Sequence, residues 1–269
     1  IDGETLALLQ YTSGSTARPK GVLVTHSNLL HNQRQITEAF GHSEGVNVVG
    51  WLPLFHDMGL IGNVMQPLYL GGTCTLMAPG TFLKRPMRWL QALSRYGAAT
   101  SGGPNFAYEL CARKHDPALL EGVDLSGWHV AYVGAEPVRA RTLEHFAAVF
   151  GPYGFSYDAF YPTYGLAEAT LFVSGPTAGQ GPQLDHIDAA QFERHGQAVE
   201  PTPGKASQTR VRCGRERGGQ RIRIVDPETH RLTPDERVGE VWVAGERVAR
   251  GYWRQPEQSQ ATFQARIRD

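Results

Sequence analysis

The chain of 269 residues reads as an α/β protein: a mostly parallel sheet with flanking helices, followed by a small antiparallel β unit. Three observations lead there. From Thr5 to about Tyr161, short β-branched or apolar runs alternate with helix-like segments, the pattern of parallel strands joined by crossover helices. After Ser174 the composition turns to Gly, Pro, Gln and Ala, with few apolar anchors beyond Leu184, Ile187, Phe192 and Val199. Further on, residues 221–226 and 240–244 alternate at period two around turn-rich Asp226-Pro227 and Thr233-Pro234, which suits a small antiparallel unit.

In chain order, the parallel strands are expected at 6–11, 46–51, 73–77, 98–101, 130–133 and 158–161. Thr25 can cap a helix ending near Gly41, because a threonine hydroxyl satisfies free N–H groups at a helix start and glycine accepts the left-handed stop. Pro86 can open a second helix whose Trp89, Leu90, Leu93 and Tyr96 share one face. A third runs from about Arg139 to Phe150 and stops at Gly151-Pro152. The expected division is 1–174 as an α/β nucleotide- and acyl-binding part, 175–212 as an insertion or excursion, and 213–269 as a β-rich part.

Composition narrows the function. A 41% hydrophobic and 10% aromatic content supports a large core, and 26 basic against 26 acidic residues leave no electrostatic footprint for nucleic acid or an anionic membrane. Cys74, Cys111 and Cys213 are far apart and form no CxxC pair, so neither a zinc site nor a disulfide framework is suggested and a reducing cytoplasm fits. Apolar runs are too short or too interrupted for a transmembrane span. Because the chain opens on Ile1 and its fourth to ninth residues already read as a buried strand, its ends are expected to be internal to a longer protein.

The most informative stretch is Tyr11, Thr12, Ser13, Gly14, Ser15, Thr16, Ala17, Arg18, Pro19, Lys20 and Gly21, just after a strand and shortly before a helix. Hydroxyls and backbone N–H groups in such a loop can surround phosphate oxygens while Lys20 adds charge. Read alone, it is also compatible with a solvated turn. It is not a P-loop, which needs Gly-Lys-Ser/Thr at the fifth position after its first glycine; counting from Gly14 reaches Pro19. His56 and Asp57 are adjacent and expected to diverge, with no partner ligands at helical or hairpin spacing, so a zinc or iron pair is not indicated.

The loop resembles the phosphate-binding signature of the adenylate-forming superfamily, which includes acyl-CoA synthetases, firefly luciferase and nonribosomal-peptide adenylation domains. Further motifs follow in that superfamily's order: Gly134, Ala135 and Glu136 resemble the segment bordering adenine, Tyr164, Gly165, Leu166, Ala167 and Glu168 its Tyr-Gly-x-Thr-Glu signature, and Gly239-Glu240, Gly245 and Gly251-Tyr252-Trp253 the next one. Within it, Phe55, His56, Asp57, Met58, Gly59 and Leu60, together with the stretch from Pro162 to Ser174 and the extra residues 175–212, resemble fatty acyl-AMP ligases closely.

The resemblance implies the N-terminal domain fold of those enzymes, ATP-dependent activation of a long-chain fatty acid to an acyl-adenylate with release of pyrophosphate, and transfer to an acyl carrier protein's phosphopantetheine. It implies catalytic roles for Lys20, His56 and Glu168, with Glu168 also holding Mg2+ and Tyr164 stacking on adenine. The nucleotide would be held by Thr12, Ser13, Gly14, Ser15, Thr16, Gly134, Ala135, Glu136, Tyr164, Gly165, Leu166 and Ala167. His56 would sit where the carboxylate meets the α-phosphate, and Met58, Leu60, Ile61, Val64 and Met65 would wall an acyl tunnel or form plain core. Ala167 stands where the superfamily usually has a threonine that touches the α-phosphate. The ribose-gripping Asp, the hinge and a C-terminal lysine are expected beyond Asp269, so this chain alone is expected to turn over negligibly. A fatty acyl-CoA synthetase and a non-catalytic module of the same fold are the alternatives.

Overall fold

A computed structural model describes residues 1–12 and 19–268. At its centre lies a five-stranded parallel sheet of β3 (Asn47–Gly50), β4 (Thr73–Leu76), β5 (Thr100–Gly103), β6 (Val130–Val133) and β7 (Phe160–Pro162), in the order β4-β3-β5-β6-β7. β5 and β6 are buried throughout, as central strands covered on both faces must be. Each strand lies within two residues of its expected place. The last starts later than expected because the Ser156 hydroxyl caps a short helical turn, Tyr157–Ala159.

The expected first strand belongs elsewhere. β1 (Leu6–Thr12) pairs antiparallel with β2 (Lys20–Thr25), which the sequence reading missed, in a separate two-stranded sheet. The connection between them is too short for the crossover helix that a parallel partner needs. Val22 and Val24 of β2 are fully buried with Ala167, Ala249 and Tyr252 in a small second core.

Thr25 caps helix His26–Phe40: its hydroxyl accepts from Asn28 N–H at 3.2 Å, and Asn28 Oδ1 accepts from Thr25 N–H at 3.1 Å. Gly41, at φ 65°, ends it. In helix Met87–Tyr96, Trp89, Leu90 and Leu93 are buried. Tyr96 is exposed instead of sharing their face, and the Arg95 guanidinium lies 5.5 Å from its ring centroid. Trp89 anchors the main core between Trp51, Phe82, Tyr108 and Trp128, and its indole N–H donates to Ser101 Oγ at 2.8 Å.

Residues 175–212 carry secondary structure of their own: Leu184–Asp188 pairs antiparallel with Ser207–Val211, and helix Ala189–His195, capped by Asp188, follows the first of these strands. The stretch leaves and returns at one point, where Gly175 bridges Arg215 and Ser174 Oγ donates to Cys213 O at 2.8 Å. Arg221–Val225 and Glu240–Ala244 form the expected antiparallel pair. Among the described residues no helix is long and apolar enough to cross a membrane.

Candidate active site

The strand order reverses at β3: β4, the next strand along the chain, lies on one side of it, and β5, the one after, on the other. In open α/β sheets such a switch point, at the carboxyl ends of the strands, is where ligands collect. A cavity of about 510 Å3 opens there, lined by Phe55, His56, Asp57, Met58 and Gly62 after β3, Tyr132 and Ala135 at and after the end of β6, Thr163 after β7, and Gln10, Tyr11 and Thr12 from β1. Gly165, Leu166, Ala167, Glu168, Leu171 and Phe172 complete one side, with Ile36 and Phe40 at the apolar end.

Glu168 stands at the tip of a hairpin in which Tyr164–Gly165 pairs with Phe172–Ser174. Leu166 N–H donates to Leu171 O at 3.0 Å and closes it. A Cβ at Gly165 would lie 2.0 Å from Leu171 O, so no larger residue fits that crossing. At Gly134 a Cβ would lie 2.9 Å from Thr163 Cγ2, which keeps the ends of β6 and β7 close. Next to it Ala135 holds φ 68°, a strained setting for a residue with a Cβ.

Lys20 and Glu168 meet at a third residue. The Lys20 ammonium lies 4.9 Å from the Tyr252 ring centroid, and Tyr252 Oη donates to Glu168 Oε1 at 2.7 Å. Segment 251–253 is fixed against β2, since Leu23 N–H donates to Gly251 O at 2.9 Å and Trp253 N–H to Gly21 O at 2.7 Å. Burial, with the neighbouring Glu168 carboxylate, pushes the Tyr252 phenol up to about 12, so it remains a donor at neutral pH. The sequence reading gave Tyr252 no role; the Gly251-Tyr252-Trp253 motif was the available signal.

His56 and Asp57 do not diverge. His56 Nδ1 lies 2.6 Å from Asp57 Oδ1, which also accepts from Met58 N–H at 2.7 Å. The reason is local: His56 N–H donates to Pro53 O, and Asp57 starts a π-helix, Met58–Met65, so the backbone bends between the two residues. With Nδ1–H given to Asp57, the 3.3 Å approach of Met58 N–H to Nδ1 is no hydrogen bond. The Asp57 hydrogen bond raises the His56 pKa above the usual imidazole value against the opposing effect of burial. The folded state therefore favours the imidazolium, and the stability this adds is present below the unfolded pKa of about 6.5 and is lost as pH rises through the raised one. Asp57→Asn, which can still cap Met58, is expected to move the His56 titration to lower pH; NMR of the imidazole checks it, and an unmoved titration contradicts it.

The π-helix divides residues 58–65 between the cavity and the core. Gln66 N–H reaches back to Ile61 O, five residues away, and this wider turn sends Met58 and Gly62 to the cavity. Ile61 is fully buried in the main core, and Met65 packs against that core from its edge. Leu60 and Val64 are half-buried and do not line the cavity. At the apolar end, Phe40 stacks on Tyr132 with centroids 6.3 Å apart, and Tyr132 Oη donates to Asn63 Oδ1 at 2.6 Å.

Of the other predicted nucleotide contacts, Thr12, Ala135, Gly165, Leu166 and Ala167 line the cavity, whereas Gly134, Glu136 and Tyr164 do not. Glu136 is exposed, and its Oε1 accepts from Phe106 N–H at 3.3 Å. Tyr164 is half-buried; burial, then the charges of Glu168 and Glu240, raise its pKa. Ser13, Gly14, Ser15 and Thr16 lie outside the described residues. Gln10, Tyr132, Ile36, Phe40, Leu171 and Phe172 line the cavity without having been predicted, since no local pattern marks them.

A parallel sheet with a cavity at its switch point, and beside it one lysine and one carboxylate joined through a tyrosine, make an α/β fold with a candidate ligand site. The chain belongs to the AMP-binding enzymes, whose family model matches residues 1–253. It is 46% identical over 262 residues to the medium-chain-fatty-acid–[acyl-carrier-protein] ligase TtuA of Teredinibacter turnerae, covering 97% of this chain and 41% of that protein. It is 45% identical over 269 residues to the medium-chain-fatty-acid–[acyl-carrier-protein] ligase JamA of Moorena producens, covering 99% of this chain and 45% of that protein. Its fold matches the fatty acyl-adenylate ligase from L. pneumophila, solved with acyl adenylate and pyrophosphate, at a TM-score of 0.92 and 43% identity, covering 97% of this chain and 45% of that one. The chain thus spans less than half the length of these relatives.

Proposed function

We propose that the whole protein activates a fatty acid with ATP, forming an acyl-adenylate and pyrophosphate, and passes the acyl group to the phosphopantetheine of an acyl carrier protein. The observation that carries this reading is the meeting of Lys20 and Glu168 on Tyr252, with Glu168, though neither Lys20 nor Tyr252, lining a cavity that also holds Ile36, Phe40, Leu171 and Phe172. The printed activities of TtuA and JamA support the fatty acid and the carrier protein. The division into 1–174, 175–212 and 213–269 draws support from the common point at which the middle stretch leaves and returns.

In this reading Lys20 offsets charge on the phosphates and the hydroxyl-rich loop before it surrounds them, as preorganised charge does wherever charge develops in a transition state. His56, held by Asp57 through Nδ1, lines the cavity and as the imidazolium would donate Nε2–H to the carboxylate and α-phosphate oxygens. Tyr164 and residues 134–136 border the base.

Glu168 fits Mg2+. It is a hard oxygen donor on the cavity wall, Tyr252 occupies only Oε1, and Oε2 accepts no hydrogen bond among the described residues. No three His, Cys, Asp or Glu side chains converge among those residues, so the remaining ligands would be phosphate oxygens and water, as is usual for this ion. Bound there, Mg2+ would neutralise phosphate charge. The three free cysteines suit a reducing cytoplasm.

The test is mass-spectrometric detection of acyl-AMP from the whole protein with ATP and acids of graded length, with and without coenzyme A. Acyl-AMP with little acyl-CoA is expected. Robust acyl-CoA formation would contradict carrier-protein transfer, and absence of acyl-AMP with every acid would contradict the ligase reading.

A further inference from the structure

The hairpin that carries Glu168 is held in an unusual way two residues further on. Thr170 has φ 71° and ψ −59°, and Leu171 N–H donates to Ala169 O at 2.9 Å. Together these define the positive-φ γ-turn, a rare and strained bend. A β-branched residue is among the least suited to it, because its Cβ substituents crowd the backbone at positive φ. Thr170 is nonetheless fully buried. Its hydroxyl donates to Arg247 O at 2.7 Å, and two residues along that same segment Ala249 N–H donates to Glu168 O at 2.8 Å.

The segment receiving these bonds is itself fixed, since Asn28 Nδ2 donates to Glu246 O at 2.7 Å and to Val248 O at 3.2 Å. Glu168 and Leu171, on either side of the bend, both line the cavity. A glycine would make the same turn without strain but would offer no hydroxyl to segment 246–249. Strain held by a buried hydrogen bond beside a cavity is the signature of a conformation kept for its position.

We propose that Thr170 is a positioning residue: its strained turn and its bond to Arg247 fix where Glu168 presents its carboxylate in the cavity. This rests on the reading of Glu168 as the carboxylate that meets the cation of a bound nucleotide, and the test separates the two.

The whole protein and its Thr170→Val, Thr170→Ser, Thr170→Gly and Glu168→Gln variants are titrated with ATP by calorimetry at graded Mg2+, with fatty-acid binding measured alongside. Thr170→Val is isosteric but lacks the hydroxyl. It is expected to raise the Mg2+ concentration for half-maximal ATP binding about tenfold, the scale of one lost hydrogen bond, while fatty-acid affinity stays within about twofold. Thr170→Ser keeps the hydroxyl and is expected to stay near the parent. Thr170→Gly, which the backbone accepts, is expected to follow valine, and it decides by the same criteria if the valine variant does not fold. Unchanged Mg2+ dependence in these variants, with Glu168→Gln shifted, overturns the positioning role alone. Equal loss of ATP and fatty-acid affinity also overturns it, because that marks general loosening. An unshifted Glu168→Gln variant overturns the metal reading and this proposal with it.

Discussion

Glu168→Gln is expected to lower acyl-adenylate formation by the whole protein about 10²–10³-fold, the range seen when one preorganised electrostatic group is lost from a reaction centre. Glutamine matches glutamate in shape and can still accept from Tyr252 Oη, so the hairpin should survive; what is lost is the negative charge facing the cavity. If that charge holds the cation on the phosphates, excess Mg2+ should restore part of the rate. Pyrophosphate release measured over a range of Mg2+ concentrations checks this. A variant within about threefold of the parent at every concentration would remove Glu168 from the chemistry.

Gly165→Ala is expected to destabilise the chain by about 3 kcal/mol, at the upper end of overpacking costs, and to abolish nucleotide binding. The added Cβ would stand 2.0 Å from Leu171 O and 3.0 Å from its carbonyl carbon. That carbonyl cannot swing away, because it accepts from Leu166 N–H and follows directly on the Thr170 turn. The hairpin must open, carrying Leu166, Ala167 and Glu168 off the cavity wall. Denaturant unfolding and ATP titration on the same sample check both parts. Parent-like stability would mean that the hairpin tolerates a wider crossing than its geometry allows.

The sequence made the fold legible wherever local chemistry decides the structure. A central strand covered on both faces reads as an unbroken run, as in Val130–Val133, and Thr25 with Gly41 brackets a helix whose ends are set by its own caps. β2 was hidden because Lys20–Thr25 follows the hydroxyl-rich stretch almost directly and ends on the residue that caps the next helix, leaving little room for a strand of its own. Its pairing with β1 is a tertiary decision, as is the exposure of Tyr96.

The candidate site divides in the same way. Residues clustered in motifs, such as Lys20, His56 and Glu168, stood out through residue type and order. The contacts that complete the site come from distant elements: Tyr252, outside the cavity lining, reaches Glu168 across 84 positions, and Gln10 Nε2 donates to Phe55 O across 45. The bend at His56 and Asp57 depends on a π-helix, and the dihedral of Thr170 on its hydroxyl bond to Arg247; neither has a compositional signature.

The most direct measurement is a crystal structure of the whole protein with a non-hydrolysable ATP analogue and Mn2+, whose anomalous signal locates the metal. The expected result is a manganese peak within bonding distance of the Glu168 carboxylate, on phosphates that also contact the Lys20 ammonium. A peak away from Glu168, or a triphosphate out of reach of Lys20, would contradict the convergence of these two side chains on one nucleotide.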